Sequence, residues 1–117
     1  MQKKKLGYMG EEMAEKFLEN AGYTVICKNY TVRGGEIDII ATFGNVLVFA
    51  EVKTRKNDSF GKACEAVDSK KIFHMCTAAK KFIYQHKEFE NSPVRFDVLE
   101  VYTQKGIINH IVNIDIN

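Results

Sequence analysis

A chain of 117 residues, 45% hydrophobic and 27% charged, is long enough to bury a core as one domain. Its apolar runs are too short to span a membrane and its start, MQKKKLGYMGEE, has no signal-peptide core, so a cytoplasmic protein without a membrane partner is expected. Cys27, Cys64 and Cys76 show no Cys-x-x-Cys spacing, which fits reduced thiols better than disulfides or zinc.

The first predicted element is a helix from about Leu6 to Asn20, stopped by Gly22. Leu6, Met9, Met13, Ala14, Phe17 and Leu18 form one apolar arc at helical period. Glu11 falls at the edge of that arc and Glu15 comes next, whereas Glu12 and Glu19 point further into solvent. Glu11 is therefore the acid best placed to reach a sheet beneath the helix. A strand follows over Tyr23–Tyr30, and TVRGG then reads as a turn carrying Arg33.

The stretch GEIDIIATFGNVLVFAEVK, Gly35 to Lys53, reads as two strands, Glu36–Phe43 and Val46–Lys53, joined by Gly44 and Asn45. Both linking residues tolerate the positive φ of a tight hairpin turn. If Phe43 pairs with Val46, Asp38 lies opposite Glu51 and Glu36 opposite Lys53, all projecting from one face. Beyond this charged end, Ile37, Ile39, Val46 and Val48 are expected on one side, with Ile40, Leu47 and Phe49 on the other. A sheet apolar on both faces is covered on both, which puts the carboxylates at the rim of a buried layer. Two carboxylates about 5 Å apart at Cβ repel and call for a cation. Lys53 supplies one charge, and a hard divalent ion bound through oxygen, Mg²⁺ or Mn²⁺, supplies the rest. The alternative is that these acids are simply the solvated ends of ordinary strands.

After Lys53 the segment Thr54–Ser59 reads as a polar loop containing Arg55 and Lys56, and residues 60–67 are irregular in pattern. A second helix is predicted over Ser69–His86 with Asp68 or Ser69 as N-cap. Ile72, Phe73, Cys76, Ala79 and Ile83 would be its buried stripe. Lys70, His74, Thr77 and Lys81 line another face. Val94–Tyr102 and Ile107–Ile114 read as two last strands around a Lys105-Gly106 turn. The order αβββαββ implies an α/β domain with a mixed sheet flanked by helices. Charge is uneven: Thr54 to Lys87 carries eight Lys or Arg against three acids, and Glu11 to Glu19 four acids against one Lys. Such a basic flank suits a polyanion as well as an ordinary solvated surface.

With Glu11, Gly22-Tyr23, GEIDIIA, FAEVKTR and Phe96-Asp97-Val98 in this order, the chain resembles the YraN-like family over most of its length. That bacterial group is similar to the PD-(D/E)xK nuclease superfamily, above all to archaeal Holliday-junction resolvases. The resemblance implies a restriction-endonuclease-like fold in which Asp38 and Glu51 bind the metal. It makes Lys53 the residue that positions or activates water, and Glu11 a helix-borne acid of the resolvase-like branch. Glu36 belongs to the YraN-like motif, and Ile37 stands where the superfamily's Pro would be.

Two functions follow as expectations. The first is a Mg²⁺- or Mn²⁺-dependent nuclease acting on DNA rather than RNA, with branched or flapped DNA as candidate substrates. Asp38, Glu51, Lys53 and Glu11 would then be catalytic, and Arg33, Arg55, Lys56, Lys70 and Lys81 would contact phosphates. Glu15 and Glu36 are additional acids nearby. Junction cutting needs two sites, so a homodimer goes with that analogy. The second is a non-catalytic nucleic-acid-binding or scaffolding module on the same fold; a protein-interaction domain with a vestigial site has less support.

Overall fold

The computed structural model describes residues 3–55 and 68–116, with the backbone alone for 3–7. Its elements are α1 (Lys3–Asn20), β1 (Thr24–Val32), β2 (Gly35–Phe43), β3 (Val46–Arg55), α2 (Ser69–Gln85), β4 (Val94–Tyr102) and β5 (Ile107–Ile111). A 3-10 turn, Lys87–Phe89, lies between α2 and β4. Lys56 and the irregular stretch 60–67 lie outside the described residues. No helix among the described residues is long and apolar enough to cross a membrane.

The five strands form one sheet in sequence order. Neighbours run antiparallel except β3 and β4, which are parallel because the chain between them crosses over through α2. The helices cover opposite faces. Ala14 and Leu18 of α1 pack on Ile39, Ala41, Val48, Ala50, Val52, Leu99 and Val101. Met75, Ala78, Ala79 and Phe82 of α2 pack on Ile37, Ile40, Leu47, Phe49 and Phe96. The middle strands are buried on both faces, as their unbroken apolar runs require.

Two of the expected faces are corrected. Ile37 packs on the α2 side while Ile39 packs on the α1 side, so the strict alternation of β2 breaks at Asp38. On β1, Asn29 between the paired Lys28↔Ile39 and Tyr30↔Ile37 takes a left-handed φ of 54°, so the neighbouring strand is irregular at the same level. The buried stripe of α2 is Met75, Ala78, Ala79 and Phe82 rather than one containing Ile72 and Phe73; Phe73 is 67% exposed. Two apolar stripes lie side by side on this helix, and the sheet chooses between them.

Two glycines set that choice and fix the helices over the same end of the sheet. A Cβ at Gly35 would overlap the His74 carbonyl oxygen and sit 3.0 Å from Ala78 N, so β2 begins in backbone contact with α2. A Cβ at Gly10 would overlap Thr54 Oγ1, so α1 crosses the end of β3 with only the Thr54 side chain between them. The close approaches bring Glu11 from one helix and Lys71 from the other to the ends of β2 and β3.

Candidate metal centre

The β2–β3 ladder has the expected register, from Phe43↔Val46 to Ile39↔Ala50, and stops there. Beyond it the strands part, and the side chain of Asp38 fills the gap: Val52 N–H donates to Asp38 Oδ2 at 2.8 Å. Asp38 and Glu51 remain close enough for the charge of Asp38 to act on the Glu51 carboxyl. The expected juxtaposition of the two acids is present, with a backbone hydrogen bond anchoring one of them.

Glu51 is buried, with 5% of its side chain exposed. Its Oε2 faces Lys71 Nζ at 3.2 Å and Lys53 Nζ at 3.6 Å, while its Oε1 is buried with no hydrogen-bond partner. Burial, then the charge of Asp38 and the hydrogen bond with it, push its pKa up to about 7 against the pull of Lys71 and Lys53. Glu11 is half-buried above this pair. Its pKa is raised by burial and then by Asp38, and lowered in part by a hydrogen bond with the Asn29 side chain.

Lys71 was not among the expected residues, yet it is central. Its Nζ bridges Glu51 Oε2 and Glu36 Oε1, both at 3.2 Å. It lies four residues before Met75 and seven before Ala78, on the stripe that faces the sheet. Asp68 caps the helix by accepting from Lys71 N at 2.8 Å, which fixes the first turn beside the carboxylates. A cavity of about 230 Å³ opens next to them, lined by Lys53, Asp68, Lys70, Lys71 and His74.

The other expected residues are distributed as follows. Glu36 is half-exposed and engaged by Lys71, and Glu15 pairs with Lys28 at 2.8 Å on the outer side of α1. Lys81 Nζ donates to the Arg33 carbonyl at 3.1 Å, so this lysine braces the β1–β2 turn. Arg55 approaches the fully buried Glu100 at 3.9 Å, and Asn109 Nδ2 donates to the other oxygen of that carboxylate at 2.8 Å. Glu100 stands beside Lys53 in the β3–β4 register. An acid inside the apolar run VLEVY was the available signal for it.

Asp97, in the late strand motif, is fully buried but serves a different set of partners. Arg95 donates to both its oxygens at 2.9 and 2.8 Å, His110 Nε2 lies 2.7 Å away, and Asn113 N–H donates at 2.9 Å. Arg95 also bonds the Tyr23 hydroxyl. Burial raises the Asp97 pKa, but the bonds from His110, Arg95 and Asn113 prevail and hold it below the usual carboxylate range. This network ties β5 and the chain after it to β4.

The donor set suits a hard cation: two neighbouring carboxylates that supply oxygen ligands, one of them with a buried oxygen that has no hydrogen-bond partner. Among the described residues no three acidic, His or Cys side chains converge as a ready-made triad. Asp38 and Glu51 are neighbouring carboxylates, and Glu11 lies within the reach of the Asp38 charge.

An αβββαββ mixed sheet with an Asp on β2 and a Glu-x-Lys on β3 defines a restriction-endonuclease-like α/β domain. The chain belongs to the family described as "Uncharacterised protein family UPF0102", whose model matches residues 10–101, in agreement with the YraN-like resemblance. It is 42% identical over 113 residues to a UPF0102 protein of Clostridioides difficile, covering 97% of this chain and 98% of that one. It is 40% identical over 116 residues to a UPF0102 protein of Caldicellulosiruptor saccharolyticus, covering 99% and 96%. A UPF0102 protein of Hahella chejuensis is 43% identical over 94 residues, covering 80% and 75%.

Proposed function

We propose that this protein is a divalent-metal-dependent nuclease that hydrolyses phosphodiesters of DNA. One observation carries the reading: Glu51, buried and with its Oε1 left without a hydrogen-bond partner, neighbours the carboxylate of Asp38, with Lys53 and a lysine-lined cavity alongside. Asp38 and Glu51 would hold Mg²⁺ or Mn²⁺, with Glu11 as a third acid. When bound, such an ion lowers the pKa of water and neutralises charge on the phosphate. Lys53, on the rigid strand β3, stabilises the negative charge that develops on the phosphoryl oxygens. Lys70 and His74 line the cavity through which the backbone would pass, and Arg55, held toward Glu100, offers a guanidinium further along β3. Burial of Glu51 excludes bulk water and strengthens each of these charges.

The second reading, a nucleic-acid-binding module without turnover, draws on the fact that Lys71 and Lys53 already neutralise Glu51. One experiment separates the two. Duplex, single-stranded, flapped and four-way-junction DNA are incubated with Mg²⁺ or Mn²⁺, with Asp38→Asn and Glu51→Gln as controls. Cleavage lost in both variants supports the nuclease. Binding without cleavage, unchanged in the variants, supports the module. Undiminished cleavage by the double variant overturns the assignment of this site.

A further inference from the structure

Lys71 stands between two environments. On one side its ammonium touches Glu36 Oε1 and Glu51 Oε2. On the other it lines the cavity shared with Lys53, Lys70 and His74. Asp68, the one acid among the described residues that line it, is engaged in capping α2. A lysine is a compact charge on a flexible four-carbon stem, so it can change partners by side-chain rotation while the helix stays in place. A divalent ion taken up at the free Glu51 Oε1 would sit across one carboxylate from Lys71 on Oε2, and like charges at that range repel. The cavity, rich in cations, is suited to an anion.

We propose that Lys71 is an exchangeable cation: it neutralises Glu51 and Glu36 until a divalent ion takes the carboxylates, and then turns into the cavity to hold a phosphate of the nucleic-acid strand. The proposal rests on Asp38 and Glu51 being a metal site. Its consequence is that metal and nucleic-acid phosphate bind with positive coupling through one side chain, each raising the affinity for the other by the same factor.

Three measurements on the full chain test this. In calorimetric titration without nucleic acid, Lys71→Met should bind Mn²⁺ at least about fivefold tighter than the parent, the lower end of ordinary linkage between sites. Lys80→Met, the same charge removal on an exposed turn of α2, should match the parent. In the parent, Mn²⁺ should accelerate amine-specific modification of Lys71, read by mass spectrometry, and leave Lys80 unchanged. Ca²⁺ should raise the parent's affinity for a phosphorothioate duplex over that in EDTA, and this gain should vanish in Lys71→Met.

Equal Mn²⁺ affinity in the Lys71 and Lys80 variants overturns the exchange, as does a Lys71 modification rate indifferent to metal. Should Lys71→Met fail to fold, Lys71→Gln and the modification rate of the parent carry the test. If the parent binds no Mn²⁺, the metal reading fails and the exchange with it. If it binds Mn²⁺ in a manner that Asp38→Asn abolishes while Lys71 does not respond, the metal reading stands and the exchange alone falls.

Discussion

Asp38 Oδ2 accepts the backbone amide of Val52 at 2.8 Å, at the step where β2 and β3 cease to pair. A carboxylate thus substitutes for the carbonyl that the next rung would have supplied. The bond keeps a buried donor satisfied while allowing the strands to splay and expose two acids to one another. Asp38 is therefore both an anchor of the sheet and half of the candidate metal site.

The two roles separate by substitution. Asp38→Asn retains an oxygen acceptor for Val52 and removes the charge beside Glu51, so the metal-free variant should be as stable as the parent or more so. Asp38→Ala leaves the Val52 amide without an acceptor and should cost about 1–3 kcal/mol. Urea denaturation without metal compares them. Thermal melts with Mg²⁺ should then show stabilisation of the parent alone, by about 2.7 kcal/mol at a hundredfold excess over the dissociation constant. An equal response of parent and Asp38→Asn would remove Asp38 from the ligand set.

Glu51 gives the metal-free protein a pH dependence of unusual sign. Its pKa in the fold, about 7, lies above its unfolded value of 4.5. The stability it contributes is fully present below the unfolded value and is lost as pH rises through 7. Between about pH 4.5 and 8 the metal-free protein should lose on the order of 3 kcal/mol, and Glu51→Gln should flatten that slope. Because the proton competes with the ion, metal affinity should rise by about tenfold per pH unit below 7 and level off above it. Denaturation and metal titrations across this range measure both.

Asp97 behaves in the opposite sense. Its folded pKa is depressed, so its contribution is present above the unfolded value near 3.8 and lost as pH falls below it. Asp97→Asn strips the countercharge from the Arg95 side chain and should cost about 3–5 kcal/mol at neutral pH. Metal response should be unchanged, because none of the partners of Asp97 touches Asp38 or Glu51. A variant that folds normally but loses its metal response would place Asp97 in the site instead.

The glycine contacts make a further prediction. Alanine is favoured over glycine within a helix by about 1 kcal/mol, yet Gly10→Ala should destabilise the protein, since the new methyl meets Thr54. Gly35→Ala should be worse, on the order of 1–3 kcal/mol, because it meets the backbone of α2 rather than a side chain that can rotate. By moving α2 outward it should also separate Lys71 from Glu51. A Gly35→Ala protein as stable as the parent would mean that the helix does not rest on the strand.

The order of elements, the hairpin and its register were legible in the chain because each is set locally. Gly44 and Asn45 close a two-residue loop, and a loop of that length determines which residues face each other across it. The end of β4 at Tyr102, the cap at Asp68 and the edge position of Glu11 on α1 are local in the same way. Tertiary structure decided what local pattern leaves degenerate. Helix α2 has two adjacent apolar stripes, and packing on the sheet, closest at Gly35, selects the one that carries Lys71 to Glu51. Period-two alternation assumes a regular strand, so it misassigned Ile37, which packs on the face opposite Ile39 because β2 is irregular at Asp38. Glu100 and Asp97 look like solvated acids until their partners arrive from other strands, because a buried charge is stabilised by neighbours distant in sequence. The two acids of the candidate metal site could be read from one hairpin; the cations that answer them come from the rest of the fold.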